Sequence, residues 1–244
     1  MMLVVFLLLG GVGWAIGYGF RCFVQEAQLW DIWLAFCLLI IGTSIYSGIF
    51  PTQDSSPIGP IMAGGILMLS FVLSREKPIR LGLSSVSPKF IGLAFGLAVL
   101  QICISFGWVY VLEFLGGEPE QQGLVDSFVE ADLQEWILLM LFVSVWAPLT
   151  EEILFRGFFW EVIRKYLNSR WSILITGVLF GLIHFGTPHS VVPLSVFGCI
   201  LGWLRHVSQS IWAPIVCHAC NNLFVGGLIF WASEESLSSG NWIF

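Results

Sequence analysis

The chain has 244 residues, of which 57% are hydrophobic and only 11% charged, and its formal net charge is −6. An average soluble chain carries about 25% charged residues, so a water-soluble globule and a disordered tail are excluded. The acidic balance excludes a nucleic-acid binder, which needs a basic footprint. What remains is an all-α fold, a polytopic membrane helical bundle in one integral-membrane domain over residues 1–244. Apolar runs such as 3–9 and 136–145 lack the alternation of a barrel strand.

A spanning helix needs about 20 mostly apolar residues. About eight segments qualify or nearly qualify, at 2–20, 30–50, 58–73, 90–115, 136–160, 171–186, 191–204 and 211–231. The third, sixth and seventh are short, so they are less tilted, shielded by neighbours or partly re-entrant. The first segment has no basic stretch before it and no small-residue cleavage site, and is read as a retained helix rather than a signal peptide. Pro51, Pro57, Pro88, Pro119 and Pro188 fall in or beside the proposed loops. Residues 116–135 form an acidic loop, with an amphipathic stretch around 125–133. That loop separates four N-terminal helices within 2–115 from a motif-bearing core at about 136–232.

Charge placement tests the helix count. With the N-terminus outside, the inner loops hold Arg21, then Arg75, Lys77, Arg80 and Lys89, then Arg164, Lys165 and Arg170, then Arg205. The outer loops hold no Lys or Arg, as the positive-inside rule requires. The expectation is a multi-pass protein of the cell (plasma or inner) membrane with both termini outside. The six cysteines, Cys22, Cys37, Cys103, Cys199, Cys217 and Cys220, lie mostly in apolar stretches and read as small buried hydrophobes rather than a disulfide framework.

Four places in the segments are polar. Gln101 is a lone amide suited to an interhelical hydrogen bond. Segment five carries Glu151, Glu152 and Arg156; segment six carries His184; segment eight carries His218 and Asn222. An ionisable residue near a helix centre costs about 2.5–3.5 kcal/mol on insertion scales. Glu152 and Arg156 stand at i and i+4, share a face and can pair, which is a structural explanation for both. Glu151 points about 100° away from Glu152 and is a functional candidate. His184 alone reads as a structural histidine, and His218 with Asn222 as a helix-packing pair. Counted at about 1.5 Å per residue from the inner ends, Glu151 lies about 13 Å deep, His218 about 10 Å and His184 about 20 Å. One polar cavity in the inner half could satisfy them all. A carboxylate with a histidine can deprotonate water, and a second histidine with an amide can stabilise an oxyanion. The same residues could instead bind zinc, although no HExxH is present. Cys217-His218-Ala219-Cys220 also has CxxC spacing, for which small apolar packing is the simpler reading.

Glu151-Glu152-Ile153-Leu154-Phe155-Arg156 resembles the EExxxR motif of the type II CAAX prenyl protease family, also called CPBP or Abi. Phe180 to His184 resembles its FxxxH motif and His218 to Asn222 its HxxxN motif. The resemblance covers residues of about 138–230. It implies an intramembrane endopeptidase in which Glu151 and His184 activate water, with His218 and Asn222 at the oxyanion and Glu152 and Arg156 completing the motif. It implies a glutamate-protease mechanism without cofactor, zinc being the alternative. The implied partners are a peptide or protein substrate, lipidated or not, and the bilayer, with no nucleic acid. A non-catalytic membrane binding or immunity protein is the other reading, and a proton-coupled transporter a third.

Overall fold

Long apolar stretches become helices because a backbone in lipid must satisfy its own hydrogen bonds. The computed structural model describes residues 2–49, 58–77, 80–117, 128, 131–185 and 187–239. Its helices are α1 (Met2–Phe23), α2 (Leu29–Ile49), α3 (Ile58–Arg75), α4 (Pro88–Phe114), α5 (Leu133–Arg164), α6 (Ser169–Leu182), α7 (Val191–Ser208) and α8 (Trp212–Ser239). All are long and apolar enough to cross a membrane except the shorter α6. The protein is an all-α, multi-pass integral membrane protein. Its outward apolar side chains, such as Leu7, Trp33, Phe106 and Phe114 (81% exposed), require a lipid surround.

The eight expected segments match these helices to within a few residues at most ends. α5 starts earlier than expected because Asp132 and Glu135 form a capping box: Glu135 N–H donates to Asp132 Oδ1 at 2.8 Å, and Asp132 N–H to Glu135 Oε2 at 3.2 Å. α6 ends at Leu182, before the expected 186. Tight i+3 bonds from His184 N–H to Gly181 O and from Phe185 N–H to Leu182 O close it. Pro51, Pro57 and Pro119, and the amphipathic stretch apart from Phe128, Ala131, Asp132 and Leu133, lie outside the described residues.

α5 is wound more widely in two places, Phe142–Trp146 and Ile153–Phe159. The first precedes Pro148, whose ring would collide with the carbonyl four residues back. There Ala147 N–H reaches Phe142 O, five residues back, so the turn opens to accommodate the proline.

The chain forms two compact units. The first comprises Met1–Ser84 and Thr150–Ser172, and the second Ser85–Leu149 and Ile173–Phe244. In the first, α3 packs against both α1 and α2, and its buried Leu67, Met68, Phe71 and Val72 form the core. The aromatic end of α5 joins it: Phe158 meets Phe71 edge-on at 6.2 Å, and Phe159 lies 5.2 Å from Phe36.

In the second unit, Phe180, Phe197, Leu201 and Leu204 are buried. Glycines let α6 and α7 touch backbone to backbone, since a Cβ on Gly198 would lie 2.6 Å from Gly177 O. α4 is tied to the start of α7 by two side chains. Pro193 has no N–H to offer the His189 carbonyl, which accepts from Trp108 Nε1–H at 2.7 Å instead. Gln101 Nε2 donates to Pro193 O at 3.1 Å, the interhelical role expected of it.

Candidate active site

The first unit carries the acidic motif. Glu152 and Arg156 are fully buried, and Arg156 Nη1 donates to Glu152 Oε1 at 2.8 Å, so the expected i,i+4 pair forms. The guanidinium also lies 5.7 Å from the Phe155 ring centroid. Arg156 sits in the second widened stretch of α5, where Trp160 N–H reaches back to Phe155 O. Such widened turns are frequent at functional sites. Gly157, next in the motif, faces the turn after α3: a Cβ there would lie 3.2 Å from Leu81 O. Glu151 is half-buried, one residue before Glu152.

The second unit carries the histidines and the asparagine. His184 stands in the turn after α6 rather than within a helix, a correction to the sequence reading, and is half-buried. Its Nδ1 lies 2.8 Å from Phe180 O. A carbonyl only accepts, so in the neutral ring Nδ1 carries the proton and Nε2 keeps the lone pair. That is the tautomer a base needs at Nε2. His218 is buried on α8 with its ring edge-on to Phe180 (5.5 Å, 78°) and Phe197 (5.4 Å, 88°). Phe180 also meets His184 at 5.2 Å, so one phenyl ring seats both imidazoles.

Asn222 follows His218 by one helical turn. Its Nδ2 donates to Val143 O of α5 at 2.7 Å, and its Oδ1 accepts from Asn221 Nδ2 at 3.2 Å. An amide nitrogen has two hydrogens, so one is committed to orientation and one remains for a ligand. α5 and α8 also border an apolar cleft of about 300 Å3 lined by Trp136, Met140, Ser144, Val145, Cys220 and Leu223.

Each motif is therefore assembled in its own unit: Glu152 with Arg156 in the first, His184 with His218 on Phe180 in the second. Cys217 is buried and Cys220 half-buried, and neither is joined in a disulfide. Among the described residues, no three His, Cys, Asp or Glu side chains group as a metal-ligand set. The sequence reading missed the Val143 carbonyl and the Phe197 ring. A backbone acceptor leaves no residue-type signal, and a phenylalanine in an apolar helix resembles any other.

Residues 133–224 match the family described as type II CAAX prenyl endopeptidase Rce1-like. The chain is 27% identical over 132 residues to YdiL of Bacillus subtilis (strain 168), whose name marks it as a candidate membrane peptidase; 54% of this chain and 52% of that one are covered. It is 30% identical over 87 residues to the UPF0177 protein YxdF of Lactococcus lactis subsp. lactis (strain IL1403), covering 36% of this chain and 48% of the relative. It is 31% identical over 118 residues to an uncharacterized 24.3 kDa protein of Escherichia coli, covering 45% and 54%. The chain thus spans about half the length of the curated relatives it matches. No solved structure matches it.

Proposed function

We propose that the protein is a membrane-embedded endopeptidase that hydrolyses a peptide bond by direct attack of water. In this reading Glu151 and His184 activate the water, and His218 and the uncommitted N–H of Asn222 receive the oxyanion. Glu152 holds Arg156 and the motif helix in place. The observation that carries the reading is the seating of His184 and His218 on one ring, with Asn222 anchored a turn away. Oriented donors and acceptors of this kind are what acyl-transfer chemistry needs. The apolar cleft bordered by α5 and α8 suits an apolar part of the substrate, a hydrophobic side chain or a lipid group.

Cleavage of hydrophobic peptides by the purified protein, wild type against Glu151→Gln, tests it. General-base catalysis contributes about 10²–10⁴ in rate, so Glu151→Gln should fold, melt like the wild type and lose turnover on that scale. Wild-type cleavage should survive a strong chelator. An active Glu151→Gln enzyme overturns the assignment, and loss with chelator restored by zinc moves these residues to ligand roles.

We also propose that the loop after α3 faces the cytosol and both termini lie outside. Within the first unit, the loop after α1, the end of α3 and the end of α5 meet at one end, where Lys165 Nζ donates to Ala27 O. Cysteines introduced at Ser84 and Ser127 should label from opposite sides of the membrane; labelling of both from one side refutes the topology.

A further inference from the structure

That same end of the first unit holds a cavity of about 580 Å3, within the size range of small-molecule sites. Arg21, Arg75, Lys77 and Arg80 line it, together with the carboxylates of Glu26 and Glu76 and the Tyr18 ring. The carboxylates are already engaged. Glu26 pairs with Arg80 at 3.2 Å and with Lys165 at 3.5 Å. Glu76 accepts from Ala27 N–H at 3.1 Å and faces Arg80 at 3.9 Å and Lys165 at 3.8 Å. Arg75 bonds both oxygens of buried Asp31 at 3.2 Å and donates to Glu26 O at 2.8 Å. Arg21, Arg75, Lys77, Arg80 and Lys165 thus meet Glu26, Asp31 and Glu76, with Glu161 near enough to Arg80 to favour its charge. Among the described residues Arg21 and Lys77 have no carboxylate within ion-pair reach.

One buried group is unsatisfied. The Arg75 side chain is 0% exposed, yet its Nη1 has no hydrogen-bond acceptor. Acceptor oxygens carrying negative charge would meet both the surplus cations and this donor, and guanidinium matches phosphate geometry. The setting favours a headgroup. α1, whose Leu3, Leu7 and Val12 face outward, ends at the cavity, so the cavity lies where a lipid-facing helix reaches the membrane surface. Basic pockets between spanning helices are a recurring form of phospholipid site.

We propose that this cavity binds a phosphate-bearing group, with Arg21 and Lys77 supplying free charge and Arg75 the buried donor. It concerns α1, α3 and the loops after them, which lie outside the matched CAAX-protease domain, and it stands apart from the peptidase reading. The test uses the full chain in phosphatidylcholine nanodiscs with and without phosphatidylglycerol, and in phosphatidylcholine discs with inorganic phosphate. Thermal midpoint and lipid retention in native mass spectrometry are read. The wild type should retain phosphatidylglycerol over phosphatidylcholine and melt higher with it. Arg21→Gln/Lys77→Gln should lower that affinity tenfold or more, while Lys89→Gln, a basic residue outside the cavity lining, should not. Stabilisation by phosphatidylglycerol that millimolar phosphate cannot displace assigns a lipid. Binding of inorganic phosphate without lipid preference, lost in the double variant, assigns a soluble phosphate ester. No response to either probe, or equal loss in Lys89→Gln and the double variant, overturns the site.

Discussion

Among the described residues, the polar groups singled out above are held by different means in the two units. In the first, Asp31 with Arg75 and Glu152 with Arg156 are full charges paired at 3.2 and 2.8 Å in an apolar interior. In the second, Gln101, Trp108 and Asn222 donate to the backbone carbonyls of Pro193, His189 and Val143, and His184 is tied to that of Phe180. A buried charge pair repays its desolvation only while both members are present. A ring or amide held by one carbonyl is oriented yet keeps a second polar atom or hydrogen for a ligand. The first arrangement suits fixing helices, the second suits meeting a substrate.

The largest effects should come from splitting a pair. Asp31→Asn, or Glu152→Gln, removes the charge paired with a buried guanidinium, at a cost of about 3–5 kcal/mol. Denaturant unfolding in detergent should show this for each. The sharper test removes both partners. Asp31→Leu/Arg75→Met should recover much of the loss, because apolar replacement of a whole buried pair is often neutral or stabilising. A double variant as unstable as Asp31→Asn would mean the pair is needed for more than charge balance.

Changes in the second unit should instead fall on rate. Removing one preorganised oxyanion donor costs about 10²–10³ in turnover. Asn222→Ala should show that loss, with KM and melting near wild type. His218→Ala should lose a similar factor but also melt earlier, because its ring fills the space between Phe180 and Phe197. Wild-type turnover in Asn222→Ala would return that residue to helix packing. The contrast would then fail at its centre.

The same contrast explains what was legible in the sequence. Helix positions were, because spans are long and apolar and their ends carry charge. Glu152–Arg156 was, because i,i+4 spacing is local. Asp31–Arg75 was not: it bridges 44 positions, and Asp31 reads as an ordinary acid in the first turn of α2, where a helix N-terminus favours one. The widened turns of α5 were not, since Pro148 signals a perturbation without saying how the backbone absorbs it. His184 was located by motif but misplaced in structure. The i+3 bonds that end α6 at Leu182 involve only backbone atoms, so residue types alone put the imidazole inside the helix.

The smallest expected effect lies at the solvent edge of the first unit, where charge pairs are exposed rather than buried. The Arg80 guanidinium bonded to Glu26, and the nearby Lys165 charge, hold the Glu26 carboxyl below its ordinary range. A carboxylate with a depressed folded pKa stabilises the fold above its unfolded pKa. That contribution fades as pH falls through the folded value, when the group protonates in both states. Wild type should therefore melt slightly above Glu26→Gln at neutral pH, and the two curves should converge on the acid side of the ordinary glutamate range. Exposed pairs contribute little and are screened by salt, so the gap should narrow at high ionic strength. The buried Glu152→Gln difference should persist there, because a pair with no solvent contact is screened far less. A Glu26→Gln gap that ignores both pH and salt would place Glu26 among the structural charges of this unit, and the division between its buried and exposed pairs would have to be redrawn.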